Sequence, residues 1–97
     1  METNIGDKTY MKIKIEPDVT LPEIPLTLDL REGACLRDVL SEATPQLIDK
    51  ETGEYIDDPD FWDVRLNEVA LYHLKEGLDT KMNAGDVIQL KILFHLS

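Results

Sequence analysis

The sequence predicts an α+β domain in which one main helix packs on one face of a mixed sheet of about five strands. Three observations carry that expectation. Met11, Ile13 and Ile15 alternate with Tyr10, Lys12 and Lys14, and Leu26, Leu28 and Leu30 alternate with Thr27, Asp29 and Arg31. A period of two marks a strand buried on one side. Between these runs and the end of the chain, Leu36, Val39, Leu40, Ala43 and Leu47 recur at helical spacing. From Val87 the period of two returns, with Ile88, Leu90, Ile92, Phe94 and Leu96 on one face and Val87, Gln89, Lys91, Leu93 and His95 on the other. A helix crossing one face of such a sheet buries both apolar stripes at once.

Each element has its own local cause. Residues 1–8 are polar and without apolar period, so they are expected to form a loose tail ahead of a single domain spanning 9–97. Pro17 ends the first strand, and Pro22 and Pro25 keep the next stretch out of a sheet interior. The strands on either side are expected to pair antiparallel. Gly33-Ala34-Cys35 turns the chain into a helix whose Arg37, Asp38, Ser41 and Glu42 face water. Pro45 lacks a backbone donor and restricts Thr44, which bounds the helix at about residues 35–44.

From Asp49 to Asp63 the chain carries seven acids and one lysine, with Gly53 and Pro59 as breakers. An exposed acidic loop is expected there, anchored by the apolar area of Phe61 and Trp62. Val64-Arg65-Leu66 and Val69-Ala70-Leu71-Tyr72 are expected as two short strands joined in a tight hairpin at Asn67-Glu68, since asparagine tolerates positive φ. Lys75 to Thr80 is expected to form a turn or a short 3₁₀ segment, and Gly85-Asp86 a second turn.

Composition excludes several function classes. The chain has 97 residues, 42% of them apolar, which suits one small globular core. Twenty acids against ten lysines and arginines give a net charge of −10. Nucleic-acid binding draws on cations that neutralise phosphates, so neither a nucleic acid nor an anionic membrane surface is an expected partner. No apolar run reaches the ~20 residues needed to span a bilayer. The single cysteine, Cys35, forms no internal disulfide, and a cytoplasmic location is expected.

Catalytic constellations are equally sparse. A helix N-terminus favours a thiolate, but no histidine lies close to Cys35 in sequence to act as its base, so helix entry or packing is its expected role. His73 and His95 fall on different strands, and Asp57-Asp58-Pro59-Asp60 lacks the spacing and glycine of a calcium loop. There is no nucleophile elbow, phosphate loop or dinucleotide fingerprint. No catalytic residue, metal site or cofactor is therefore expected, and a stand-alone enzyme is not expected either.

The order strand, strand, helix, strand, strand, strand is joined by three local motifs: Cys35-Leu36-Arg37-Asp38-Val39-Leu40, Gly77-Leu78-Asp79-Thr80 and Gly85-Asp86-Val87-Ile88. Together, over roughly residues 10–97, they resemble the ubiquitin-like (β-grasp) sulfur carriers of the MoaD/ThiS type. Glu68 stands where that family usually has glycine, Lys81 where proline often follows the threonine, and Met82 where leucine is common. The resemblance implies a β-grasp fold and a chain that is at most a carrier or an accessory subunit of an enzyme. It also implies a larger protein partner, either an adenylating, ubiquitin-activating-like enzyme or a pterin-synthesis subunit.

Carriers of that family end in Gly-Gly, whose carboxylate is adenylated and then converted to a thiocarboxylate. Here Phe94-His95-Leu96-Ser97 occupy the diglycine positions and their approach, and no Gly-Gly occurs among the 97 residues. The expected function is therefore non-covalent protein–protein docking and not terminal thiocarboxylation. The alternative is a sulfur carrier with an atypical tail serving molybdopterin, tungstopterin or thiamine synthesis. With the helix on one sheet face, the other is free for a partner. Tyr10, Lys12, Lys14, Gln89, Lys91 and Leu93 are expected to line it.

Overall fold

A computed structural model describes residues 10–19, 21–57 and 61–92, with the side chains of Phe61 and Trp62 outside the description. The expected N-terminal tail, the anchoring role of Phe61 and Trp62, most of the Asp57–Asp60 run and the tail from Leu93 to Ser97 lie outside the described residues. Among the described residues, five strands and one α-helix run in the order β1 (Tyr10–Pro17), β2 (Thr27–Arg31), α1 (Leu36–Ala43), β3 (Phe61–Leu66), β4 (Val69–Ala70) and β5 (Val87–Ile92). Among the described residues they form one sheet in the order β2-β1-β5-β3-β4. β1 and β5 pair parallel at its centre, and the other neighbours are antiparallel.

Parallel neighbours need a crossover between them, and α1 lies on it, covering one face. Register fixes which face that is. Ile15 stands opposite Ile88, Ile13 opposite Leu28, and Val64 opposite Leu90. These side chains meet Leu36, Val39, Leu40 and Leu47 in a core whose central members are almost entirely buried. Met82 and Ile24 close its margins.

Helix α1 begins one residue later than expected and ends one earlier, because both flanking residues serve as caps. Cys35 is the N-cap, and its backbone N–H donates to Asp38 Oδ2 at 2.9 Å. Thr44 is the C-cap. Its N–H donates to the Leu40 carbonyl at 2.8 Å, and its buried hydroxyl donates to the same oxygen at 3.3 Å. Pro45 then opens a 3₁₀ turn through Leu47 that keeps Leu47 in the core.

Three expectations change. The acidic stretch is not a simple loop: Ile48 and Tyr55 form an antiparallel bridge, with Asp49 N–H on the Glu54 carbonyl at 2.9 Å and Ile56 N–H on the Leu47 carbonyl at 2.7 Å. The Asp49 carboxylate closes the turn by accepting from the amides of Glu51 at 2.8 Å and Thr52 at 3.1 Å. Those backbone donors hold the Asp49 carboxyl below its ordinary value. Arg37 ties this hairpin to the helix, donating Nε to the Gly53 carbonyl and a terminal nitrogen to Asp79, both at 2.6 Å. Further on, β3 starts at Phe61 and not at Val64. Its pairing with β5 slips between Phe61 and Asp63, a bulge that breaks the alternation by which a strand is read.

The third change concerns Leu71-Tyr72, expected as strand. Residues Leu71–His73 form a 3₁₀ turn, as do Gly77–Asp79. Leu71 and Leu74 both pack against the core at a spacing of three, which suits a 3₁₀ path and not a pleat.

The β3–β4 hairpin turns at Asn67 and Glu68, with φ of 50° and 73°. Both residues occupy the left-handed region that a two-residue hairpin of this kind demands. Asparagine tolerates it; for a glutamate it costs on the order of 1 kcal/mol. Glu68→Gly should raise stability by about 0.5–1 kcal/mol, read from the shift of a urea midpoint at unchanged slope.

Asp49 supplies a pH signature. A carboxyl with a lowered folded-state value contributes stability above its unfolded value and loses it as pH falls through the folded one. The stability difference between the parent chain and Asp49→Asn should be largest near neutrality and shrink below about pH 4, as measured by denaturation across that range.

Candidate functional site

Alternation sorts the strands' side chains between the two faces of the sheet. Tyr10, Lys12 and Lys14 of β1 lie exposed on the face away from α1. β2 adds Arg31 opposite Tyr10, Asp29 opposite Lys12 and Thr27 opposite Lys14. On the other side β5 adds Val87 beside Lys14 and Gln89 beside Glu16. Arg65 and Asp63 of β3 stand opposite Gln89 and Lys91. The structure thus brings together Tyr10, Lys12, Lys14, Gln89 and Lys91 as expected, while Leu93 lies outside the described residues.

Val87, already placed on the face of Gln89 and Lys91, joins them, and six further members were not foreseen: Glu16, Thr27, Asp29, Arg31, Asp63 and Arg65. Alternation placed the second strand's polar residues on one face, but only strand order shows that this face is continuous with that of β1. Among the described residues of β1, β2, β3 and β5, the face holds five cations (Lys12, Lys14, Arg31, Arg65 and Lys91) and three carboxylates (Glu16, Asp29 and Asp63), a net charge of +2. The remainder of the chain carries −12.

Some of these charges are engaged. Arg65 Nε donates to Asp63 Oδ2 at 2.7 Å, and a terminal nitrogen of Arg65 reaches the Glu68 carbonyl at 3.3 Å. The Asp63 carboxylate is the stronger cause of the raised Arg65 value, with Tyr72 and Glu68 adding smaller electrostatic support. Lys12 and Asp29 approach only to 3.7 Å, with both side chains about two-thirds exposed. Among the described residues, Lys14 and Arg31 make no ion pair.

Beside these cations lies a groove of about 360 Å³, lined by Lys12, Lys14, Thr27, Gly85 and Val87. Gly85 sits in the turn before β5, at φ +89°, where its N–H donates to the Lys12 carbonyl at 2.9 Å. A turn at positive φ is the reason for glycine here. Asp86 fixes the turn: its carboxylate accepts from the Asn83 amide at 2.7 Å and from Asn67 Nδ2 at 3.0 Å, and its carbonyl accepts from Lys14 N–H at 2.9 Å. One wall of the groove is therefore held by backbone hydrogen bonds to the strand that carries both lysines.

The remaining singled-out residues have structural surroundings. Cys35 is half-buried at the helix cap, with its thiol 3.5 Å from Asp38 Oδ2. His73 is exposed, its ring edge-on to that of Tyr72 at 4.8 Å, and His95 lies outside the described residues. Among the described residues, no three His, Cys, Asp or Glu side chains group as metal ligands, and no helix is long and apolar enough to cross a membrane.

No known protein-family profile matches the sequence, and no curated protein does either. Solved structures do share its fold. The solution structure of the Haloferax volcanii HVO 2177 protein is similar with a TM-score of 0.60 and 20% identity, covering 92% of this chain and 89% of that one. The solution structure of Urm1 from Trypanosoma brucei is similar with a TM-score of 0.56 and 20% identity, covering 91% of this chain and 97% of that one. The chain adopts the expected ubiquitin-like β-grasp fold.

The exposed charges of the open face contribute little to folding, since pairs of this kind contribute about 0–1 kcal/mol. Lys12→Ala and Lys14→Ala should each change unfolding free energy by about 0.5 kcal/mol or less, measured by urea denaturation at low ionic strength.

Proposed function

We propose that this chain is a ubiquitin-like docking protein, related to the sulfur carriers, that binds a larger protein non-covalently through its open sheet face. The observation behind this reading is the segregation of charge. Half of the chain's ten lysines and arginines gather on the one sheet face that the helix leaves uncovered. A solvated face in so acidic a protein has no need of such enrichment, whereas opposed potentials orient partners as they meet. An adenylating enzyme or a pterin-synthesis subunit is the class of partner implied by the family resemblance.

The competing reading is a sulfur carrier whose terminal carboxylate is activated, in molybdopterin, tungstopterin or thiamine synthesis. It draws on the shared fold and on the motifs at Gly77–Thr80 and Gly85–Ile88. Both motifs have structural employment in this chain. Thr80 Oγ1 donates to the Gly77 carbonyl at 2.7 Å, Asp79 receives Arg37, and Asp86 fastens the turn before β5. They account for the fold without requiring sulfur chemistry.

A photo-crosslinking amino acid placed at Tyr10 or Gln89, with Lys75 as a remote control, distinguishes the two readings. In cells of the native host, positions 10 and 89 should yield one discrete crosslinked partner that position 75 does not. Equal crosslinking from all three would remove the open face from the account. Incubation of the protein with an adenylating enzyme, ATP and a sulfur donor, followed by intact mass measurement, should show no exchange of a terminal oxygen for sulfur; such an exchange would establish the carrier reading instead.

A further inference from the structure

We infer that the groove between Lys12, Lys14, Thr27, Gly85 and Val87 is the specific contact within the docking face, and that it receives a short acidic segment of the partner protein. The inference rests on the docking role proposed above and specifies its chemistry.

Three features of the groove select that occupant. Lys12 and Lys14 project from the same face of β1 two residues apart, a spacing of about 7 Å along a strand. Neither is neutralised closely: Lys14 has no ion-pair partner among the described residues, and the Lys12–Asp29 contact is long and exposed. Two ammonium groups at that spacing match carboxylates on alternate residues of an extended peptide. Val87 offers an apolar contact, and Thr27 a hydroxyl, in the same depression of about 360 Å³. Gly85 adds no side chain to the rim, and a Cβ built there would point into open space, so the approach is unobstructed.

Range decides between an acidic peptide and a phosphate polymer. Charges in water are screened over about 8 Å at physiological ionic strength. A two- or three-carboxylate segment seated in the groove lies directly against Lys12 and Lys14, while the carboxylates of that neighbourhood, Asp29 opposite Lys12 and Glu16 beyond Lys14, stand outside its lining. A nucleic acid long enough to bind would run beyond that patch onto surface that carries −12 overall, losing the phosphate neutralisation on which its affinity depends. A second copy of this chain is the remaining acidic candidate, since the 49–57 hairpin and the outer face of α1 carry Asp38, Glu42, Glu51, Glu54 and Asp57. It would present those carboxylates on a curved, already hydrogen-bonded surface and not as an extended segment.

The test uses the full chain, labelled with ¹⁵N, and a synthetic peptide of alternating Glu and Ile residues as the probe. Titration at low salt should shift the amides of residues 12, 14, 27, 85 and 87 together. Binding should weaken severalfold between 50 and 300 mM salt, and Lys12→Glu/Lys14→Glu should weaken it tenfold or more. Lys75→Glu/Lys81→Glu, which changes net charge equally on another surface, should leave it within twofold. Matching amide spectra of the variants outside the mutated strand establish that both are folded.

Several results would overturn the inference. They are no shifts at millimolar peptide, shifts elsewhere, equal loss with the Lys75/Lys81 control, or a concentration-dependent change in diffusion without peptide that points to a second copy. The docking role is judged separately: if positions 10 and 89 still crosslink the native partner in Lys12→Glu/Lys14→Glu, docking stands and the acidic-segment groove falls.

Discussion

The parallel pairing of β1 with β5 is the constraint on which the remainder of the structure depends. It joins Ile15 to Ile88 and Pro17 to Leu90, residues some seventy positions apart in sequence. Nothing local can form it, so its loop-closure entropy must be recovered through burial. The recovery is visible in Ile13, Ile15, Ile88 and Leu90, all at most 2% exposed, beneath a helix that offers Leu36, Val39 and Leu40 in equal burial. Each fully buried aliphatic side chain contributes about 1.5–3 kcal/mol, against about 0–1 kcal/mol for an exposed ion pair. The helix is placed where it is because the crossover must return over the face that those isoleucines would otherwise show to water.

Entry into β5 is guarded by polar contacts. Asn67, at the tip of the β3–β4 hairpin, accepts from Val87 N–H through Oδ1 at 3.0 Å and donates to Asp86 at 3.0 Å, while its own N–H reaches the Val87 carbonyl at 2.8 Å. Gln89 Oε1 accepts from Glu68 N–H at 2.8 Å. Asp86 and Gly85 meanwhile bond to the backbone of β1. Three segments distant in sequence are thereby set in one register, and in a sheet a slip of one residue would exchange the buried face for the open one. The motif Gly85-Asp86-Val87-Ile88 is thus a register lock, and its contacts in this chain are structural.

What could be read from the sequence follows from this division. Alternation and helical spacing are direct imprints of burial, so β1, β2, α1, β5 and the Asn67-Glu68 turn were legible, as were five members of the open face. Features that depend on who pairs with whom were not. The bulge between Phe61 and Asp63 disrupted the period that would have revealed the start of β3. The Asp49 turn is built by a carboxylate accepting backbone donors, and in a list of residues such an acid looks like any solvated one. Asp63 and Arg65 joined the face only once the pairing of β3 with β5 was known. The groove required the turn at Gly85 to be folded against Lys12, a contact across 73 positions.

The two faces of the sheet therefore answer to different demands. The buried face tolerates little, because any polar or smaller side chain there is charged against a core with few voids. The open face contributes so little to stability that its composition is nearly free of folding constraints. In a chain with twice as many acids as bases, an unconstrained face would be expected to share the general acidity. Instead it carries a positive balance, with its least engaged cations, Lys14 and Arg31, on β1 and β2 and with Lys12 and Lys14 beside the groove. Concentrating cations there raises no stability and adds mutual repulsion, so a folding explanation fails on magnitude. The proposed encounter with an acidic partner does not, because the acidity of the remaining surface would repel such a partner elsewhere and so fix the orientation in which it could arrive.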